Sequence, residues 1–176
     1  MAADQVAVCN QALAFAGTRS QLTSVPGNTT EGIYCNLLYA EFRDYLLRQG
    51  DYDFAMMIVG TTGSAVAPYP WAFTYNLPSD CVRIRQLITT SPVSHDPQPM
   101  HWNIASNLIY ATTAAQTLIY TSNLTPEAEW DTTFTDAFVR FLGSGLFFAL
   151  ENRIEAHKVA IQEALEFAQQ GTVINP

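Results

Sequence analysis

Apolar residues recur at helical spacing near the start of the chain. In residues 4–16 one helical face would carry Val6, Cys9, Leu13 and Ala16. In residues 31–49 it would carry Tyr34, Leu38, Phe42, Tyr45 and Leu46. Gly17 and Gly50 follow these segments, and glycine adopts the left-handed conformation at a helix end without a Cβ clash. The pattern therefore predicts two helices, each ended by a glycine.

A second pair of helices is predicted in the last third of the chain. One begins near Pro126 or Asp131, both of which suit a helix start. Its apolar face would carry Phe134, Phe138, Phe141, Gly145 and Phe148. The other covers about residues 152–170 and stops at Gly171. Four helices of this kind indicate a bundle-like core.

The middle of the chain has a different pattern, with short β-type runs between turn residues. These runs are residues 72–77, 81–88, 108–111 and 117–121. We predict three or four antiparallel strands, a hairpin over residues 108–121 that turns at 112–115, and long loops at 60–70 and 91–99.

The predicted fold class is mainly α. A four-helix bundle-like core carries a small antiparallel β-subdomain between helices 2 and 3. The whole chain, residues 1–176, is expected to form a single domain. Its parts would be helical ends at 1–50 and 126–170, a β-rich middle at 54–125 and a flexible tail at 171–176.

The composition narrows the class of protein. A hydrophobic content of 48% fits a globular chain. A net charge of −8, with Lys158 as the one lysine, argues against a face that grips DNA. The longest apolar run, residues 141–150, is too short to span a bilayer. Three cysteines and no basic leader indicate a protein kept in a reducing compartment and not exported by its own signal.

Charged residues are scarce in the middle of the chain, where residues 54–126 contain four. Interface cores are similarly poor in charge and rich in aromatic rings. The segment as a whole is therefore expected to be buried partly against other subunits, although any single ring could instead fill a sheet core. The candidates for the subunit interface are Tyr69, Trp71, Phe73, Trp102 and Tyr110.

Signs of a metal or cofactor site are weak. His95, Asp96 and His101 lie in a proline-rich stretch with no further ligand nearby, whereas a structural zinc site needs four. The cysteines lack the CxxC spacing. We therefore expect no metal and no cofactor.

Clustered carboxylates are the one feature typical of an enzyme. Asp51 and Asp53 flank Tyr52. Others crowd the start of the third helix, namely Glu127, Glu129, Asp131 and Asp136. A glycosidase needs two carboxylates across a sugar cleft, but acidic residues at a helix start also complement the helix dipole. A non-enzymatic protein is the favoured interpretation, with a peptidoglycan or glycan hydrolase as the alternative.

The order of several short stretches resembles one known family. They are residues 6–17 (VAVCNQALAFAG), 35–47 (CNLLYAEFRDYLL), 53–55 (DFA), 75–83 (YNLPSDCVR), 118–121 (LIYT) and then Trp130, Asp131 and Phe134. The chain resembles the head-to-tail adaptors of short-tailed bacteriophages, also called tail tubular protein A or gatekeeper. The family more often has a tryptophan where this chain has Asp53.

The resemblance implies a structural protein of the virion tail, assembled in the host cytoplasm. Family members form a closed ring, commonly of twelve subunits, beneath the portal protein. The ring extends the DNA channel without binding DNA specifically, and it supports the tail nozzle (tubular protein B) and tail fibres. A head-completion protein of another tailed phage type is a weaker alternative. The portal-contact candidates implied by the resemblance are Gly171, Thr172, Val173, Ile174, Asn175 and Pro176.

Overall fold

The computed structural model describes residues 4–64, 66–90, 97–115, 117–151, 162 and 165–166. The chain forms two compact units. The helical unit comprises residues 1–54 and 125–176, and the strand unit comprises residues 55–124.

The helical unit contains three α-helices among its described residues. They are α1 (Gln5–Phe15), α2 (Thr30–Gln49) and α3 (Thr132–Glu151). Short 3₁₀ turns cover Asp53–Ala55 and Glu127–Glu129. Each helix begins at an oxygen-bearing side chain that accepts a bond from an otherwise unpaired N–H group. These bonds are Ala7 N to Asp4, 2.7 Å, Gly32 N to Thr29, 3.1 Å, and Phe134 N to Asp131, 2.7 Å.

The core of the helical unit is centred on α3. Phe134, Phe138, Leu142 and Leu146 are fully buried. The apolar face predicted for this helix is thus confirmed at Phe134, Phe138, Phe141 and Gly145, which are buried, while Phe148 is 42% exposed. Burying each phenylalanine stabilises the fold by roughly 1.5–3 kcal/mol.

Two glycines let α3 approach its neighbours closely. A Cβ at Gly143 would lie 2.8 Å from the carbonyl oxygen of Ala12 in α1. A Cβ at Gly145 would lie 2.5 Å from the ring of Phe42 in α2. Real Cβ atoms do not approach other atoms this closely, so both positions need glycine for helix packing.

By length and composition α3 also meets the criterion for a membrane-spanning helix. The stretch Thr132–Leu150 has a mean hydropathy of 1.2, and half of it is buried in the fold. Core helices of globular proteins meet the same criterion, so this apolarity alone does not distinguish the two.

The strand unit contains two antiparallel sheets among its described residues. The strands are β1 (Met56–Gly60), β2 (Phe73–Asn76), β3 (Cys81–Thr90), β4 (Pro97–Pro99), β5 (Trp102–Ala105), β6 (Leu108–Ala111) and β7 (Thr117–Ser122). One sheet has the order β1-β7-β3-β4 and the other has the order β2-β6-β5.

One apolar cluster fills the core of the strand unit. Its members are Tyr75, Ile84, Leu87, Ile109, Ala111, Ala115, Leu118 and Tyr120. The hydroxyl of Tyr75 accepts a 2.6 Å hydrogen bond from the backbone N–H of Ala115. This bond satisfies the one polar atom of an otherwise buried ring.

The predicted fold class is wrong. A mainly-α four-helix bundle is replaced by a mixed α and β fold with three described helices and seven strands. The fourth helix, predicted at 152–170, lies outside the described residues except for 162 and 165–166, which are helical. The sequence underestimated the strands because β1, β4 and β5 lack the alternating pattern of a half-buried strand.

Two local predictions are also wrong. Residues 108–121 do not form a hairpin, because β6 and β7 belong to different sheets. The hairpin is instead β5–β6, which turns through Ser106 and Asn107 with positive φ angles of 50° and 62°. The second error concerns Gly50, which is extended with φ −145°. Gly17 has φ +78°, as predicted.

Candidate assembly surfaces

The two units differ sharply in charge. The strand unit holds two acidic and two basic residues, which are Asp80, Asp96, Arg83 and Arg85. These charges cancel, so the whole net charge of −8 belongs to the helical unit. Two copies of the strand unit can therefore approach each other without the repulsion that the helical units would experience.

Exposed apolar side chains are frequent on this net-neutral unit. Among the described residues of 55–124, seven large apolar ones are exposed, namely Met56, Met57, Ile58, Val66, Tyr69, Ile104 and Leu124. A unit of 70 residues with more exposed large apolar residues than charges is typical of a surface that another protein covers.

Three of the five aromatic interface candidates line a shallow groove. Tyr69 is 97% exposed, and the ring centroids of Trp71 and Tyr110 lie 6.5 Å apart. The groove has a volume of about 210 Å³. Its lining consists of Pro68, Tyr69, Trp71, Asn103, Ala105 and Tyr110, with no charged residue.

The other two candidates face the interior of the strand unit. Phe73 and Trp102 are half-buried and pack against the apolar core cluster. All five aromatic candidates lie in the strand unit, but the sequence alone does not show which of them line the groove and which pack against the core.

The turn before β3 forms a polar cluster that the sequence did not reveal. The Asp80 carboxylate accepts a 2.6 Å hydrogen bond from the Ser122 hydroxyl and a 3.1 Å bond from the Tyr120 hydroxyl. Burial, with the nearby Asp80 charge and hydrogen bond, raises the pKa of Tyr120 to about 12. Asp80 thus ties the start of β3 to the end of β7, which is a structural role.

The carboxylates considered for hydrolysis differ in exposure and in hydrogen-bond partners. Asp51, Asp53 and Glu129 are exposed. Glu127 accepts a 2.8 Å hydrogen bond from the Tyr39 hydroxyl, and burial together with that bond raises the pKa of Tyr39. Asp131 caps α3. The groove in the strand unit has no carboxylate in its lining.

The described residues contain no group of three or more metal-ligating side chains. His101 is exposed, whereas His95 and Asp96 lie outside the described residues. Cys9 and Cys35 are fully buried free thiols in the helical unit. The hydrogen bond that the Cys9 thiol donates to the Cys35 sulfur, together with burial, raises the pKa of Cys9, which keeps that thiol protonated and unreactive.

The portal-contact candidates, residues 171–176, also lie outside the described residues. Comparison with known proteins gives no further assignment: neither the family models nor the curated proteins include a match to this chain.

Proposed function

We propose that this chain is a structural subunit of a bacteriophage tail, the head-to-tail adaptor that forms a ring between the portal protein and the tail nozzle. The ring is a homo-oligomer, with twelve subunits as the number implied by the family resemblance. It extends the DNA channel, supports tail assembly and catalyses no reaction.

The observation that carries this proposal is that the strand unit has no net charge and exposes many large apolar side chains. Seven exposed large apolar residues accompany four charges that sum to zero. A surface of this kind is costly to leave in water and is stabilised when copies of the protein cover it. This surface supports self-association in general. The proposal that the assembly is a head-to-tail adaptor ring rests on the stretches that resemble the adaptor family.

The charge of the helical unit is consistent with the same role. A net charge of −8 repels DNA phosphates, so DNA can slide through a channel without sticking to its wall. Closed rings arise when each subunit offers two different contact patches to its neighbours.

Electron microscopy of the purified protein, alone and with its portal protein, tests the proposal. We expect a ring that continues the portal channel. Deletion of residues 171–176 should weaken portal docking while the circular dichroism of the protein is unchanged. A protein that stays a single copy beside its portal contradicts the adaptor role, and unchanged docking after the deletion contradicts the role of the C-terminal residues.

A further inference from the structure

The edges of the two sheets in the strand unit are not equally protected. Antiparallel sheets with the orders β1-β7-β3-β4 and β2-β6-β5 have four edge strands, which are β1, β4, β2 and β5. An edge strand presents unpaired N–H and C=O groups, and proteins usually block such edges with proline, charge or a covering segment.

Two of the four edges are blocked. β4 has three residues, and Pro97 and Pro99 among them lack the N–H group that a further strand would need. β2 is covered at its centre by Ser64. The N–H of Thr74 donates to the Ser64 carbonyl, and the N–H of Ser64 donates to the Thr74 carbonyl, both at 2.9 Å.

The other two edges have no further strand beside them in the described part of the chain. In β5 the N–H of Ile104 donates a local 2.8 Å hydrogen bond to the side-chain oxygen of Asn103, which an incoming strand would replace. β1 pairs with β7 on one side, and β5 pairs with β6 on one side. Neither strand contains a proline or a charged residue. Ile58 of β1 is 61% exposed and Ile104 of β5 is 42% exposed, so each open edge also presents a large apolar side chain.

We propose that β1 of one copy adds to β5 of the next copy, which joins sheets of neighbouring subunits by backbone hydrogen bonds. Two different open edges on one unit provide the two distinct patches that a head-to-tail ring requires. The strands match in length, since five and four residues extend about 17 and 13 Å. The inference names the contact within the proposed ring and rests on that ring for its biological setting.

A second copy is the occupant that the charges favour. The strand unit is neutral overall, and both edges are uncharged along their whole length. Strand addition takes its affinity from main-chain hydrogen bonds and its specificity from alternate side chains. Here those side chains are apolar except for Asn103 in β5, and the apolar ones lose contact with water when the two strands pair.

Lysine substitutions at the two edges test the contact. Ile58→Lys and Ile104→Lys each place a charge where the partner strand would pack, and each should raise the dissociation constant of self-association about tenfold or more. Thr113→Lys is the matched control, because Thr113 is exposed in the same unit, lies outside every strand and is not one of the exposed apolar residues. It should associate like the wild type. Sedimentation velocity over a concentration series gives the association state, and circular dichroism verifies each fold.

Mixing the two edge variants gives the decisive result. Ile58→Lys keeps an intact β5, and Ile104→Lys keeps an intact β1. An equimolar mixture should therefore form a dimer with one copy of each variant and grow no further. If β1 paired with β1 instead, Ile104→Lys alone would associate like the wild type, and the proposal would be overturned.

Hydrogen exchange provides a readout without mutation. Backbone amides of residues 56–60 and 102–105 should exchange more slowly as the wild-type protein is concentrated. Unchanged exchange, or a wild type that stays monomeric up to its solubility limit, overturns the strand contact. Rings that form equally well on the portal with Ile58→Lys would reject the contact while leaving the adaptor role intact. If the edge variants weakened self-association but the wild type formed no ring on the portal, the β1–β5 contact would be supported and the adaptor role rejected.

Discussion

The carboxylate of Asp80 accepts a 2.6 Å hydrogen bond from the hydroxyl of Ser122, 42 residues further along the chain. Ser122 is almost fully buried, at the end of β7. The Ser122 hydroxyl oxygen also accepts a 3.1 Å bond from the backbone N–H of Leu124. The Ser122 hydroxyl therefore links the turn before β3 to the backbone at Leu124, where the chain leaves the strand unit.

Replacement of Asp80 by alanine should destabilise the strand unit. The hydroxyls of Ser122 and Tyr120 both lose their carboxylate partner. Leaving buried donors unsatisfied costs about 1–3 kcal/mol. Urea denaturation, followed by circular dichroism, measures the loss. Asp80→Asn is the matched variant, because it keeps an acceptor oxygen but removes the charge, and its loss should be smaller. Equal stability of Asp80→Ala and the wild type would contradict this role.

Alkaline pH should unfold the protein through its buried phenols and Cys81. Burial, with a smaller contribution from Asp131, raises the pKa of Tyr52 from 10.0 to about 12, and Tyr120 has the same value. Burial and Asp80 raise the pKa of Cys81 from 9.0 to about 11. Raised folded-state values favour the protonated forms, so this stability is complete below pH 9 and is lost as the pH rises through 11 and 12.

Urea denaturation across that pH range measures whether the free energy of unfolding falls as the pH rises. The ultraviolet absorbance of tyrosinate reports the ionisation of the phenols. Tyr52→Phe should flatten part of the decline, because the variant has no phenol to ionise at that position. A stability that rises between pH 9 and 12 would contradict the assignment.

Gly143→Ala and Gly145→Ala form a matched pair on α3. The new Cβ at 143 would meet the backbone oxygen of Ala12 at 2.8 Å, which cannot move without shifting α1. The new Cβ at 145 would meet the ring of Phe42, a side chain that can rotate. We expect Gly143→Ala to lose about 1–3 kcal/mol. Gly145→Ala should lose less, because the Phe42 ring can move aside; the helix preference of alanine over glycine, about 1 kcal/mol, is common to both variants. Urea denaturation of both variants gives the ranking, and the reverse order would contradict it.

Phe138→Ala should be strongly destabilising. The ring is fully buried and packs edge-on against Tyr39, with centroids 5.0 Å apart. Its removal leaves a cavity that costs about 3–5 kcal/mol. Leu37→Ala is the control, because Leu37 is 66% exposed on α2, and its loss should stay within about 0.5 kcal/mol. Calorimetric melting temperatures compare the two, and similar melting temperatures would show that Phe138 is not a core anchor.

The sequence predicted the helices well because their signals are local. Thr29 and Asp131 cap α2 and α3 as expected of residues at a helix start. Gly17 ends α1 in the left-handed conformation. These features depend on residues three or four positions apart, which can be seen in a single stretch of chain.

The strands are harder to predict. Residues 108–111 and 117–121 both lie in strands, as the sequence predicts, but the predicted pairing between them is wrong. β7 pairs with β1, about 60 residues earlier, and β6 pairs with β2 and β5. The Ser106-Asn107 turn lacks the Asn-Gly signal that marks a tight hairpin, so the sequence does not reveal the true hairpin.

For the candidate assembly surfaces, too, some features can be predicted from the sequence and others depend on the tertiary structure. The scarcity of charge in the middle of the chain and its aromatic residues are properties of the sequence, and they indicate residues 54–125 without reference to the fold. Which rings line a groove, as Tyr69 and Trp71 do, and which pack inward, as Phe73 does, depends on the face of the strand that each occupies.

The sequence by itself determined the three described helical segments and the net-neutral middle of the chain. Only the tertiary structure decided that two sheets form and that β1 and β5 are left as open edges. Helix hydrogen bonds close within four residues, whereas a strand obtains its partners from distant parts of the chain. Whether an edge is open is therefore a property of the completed sheet, and no single segment contains it.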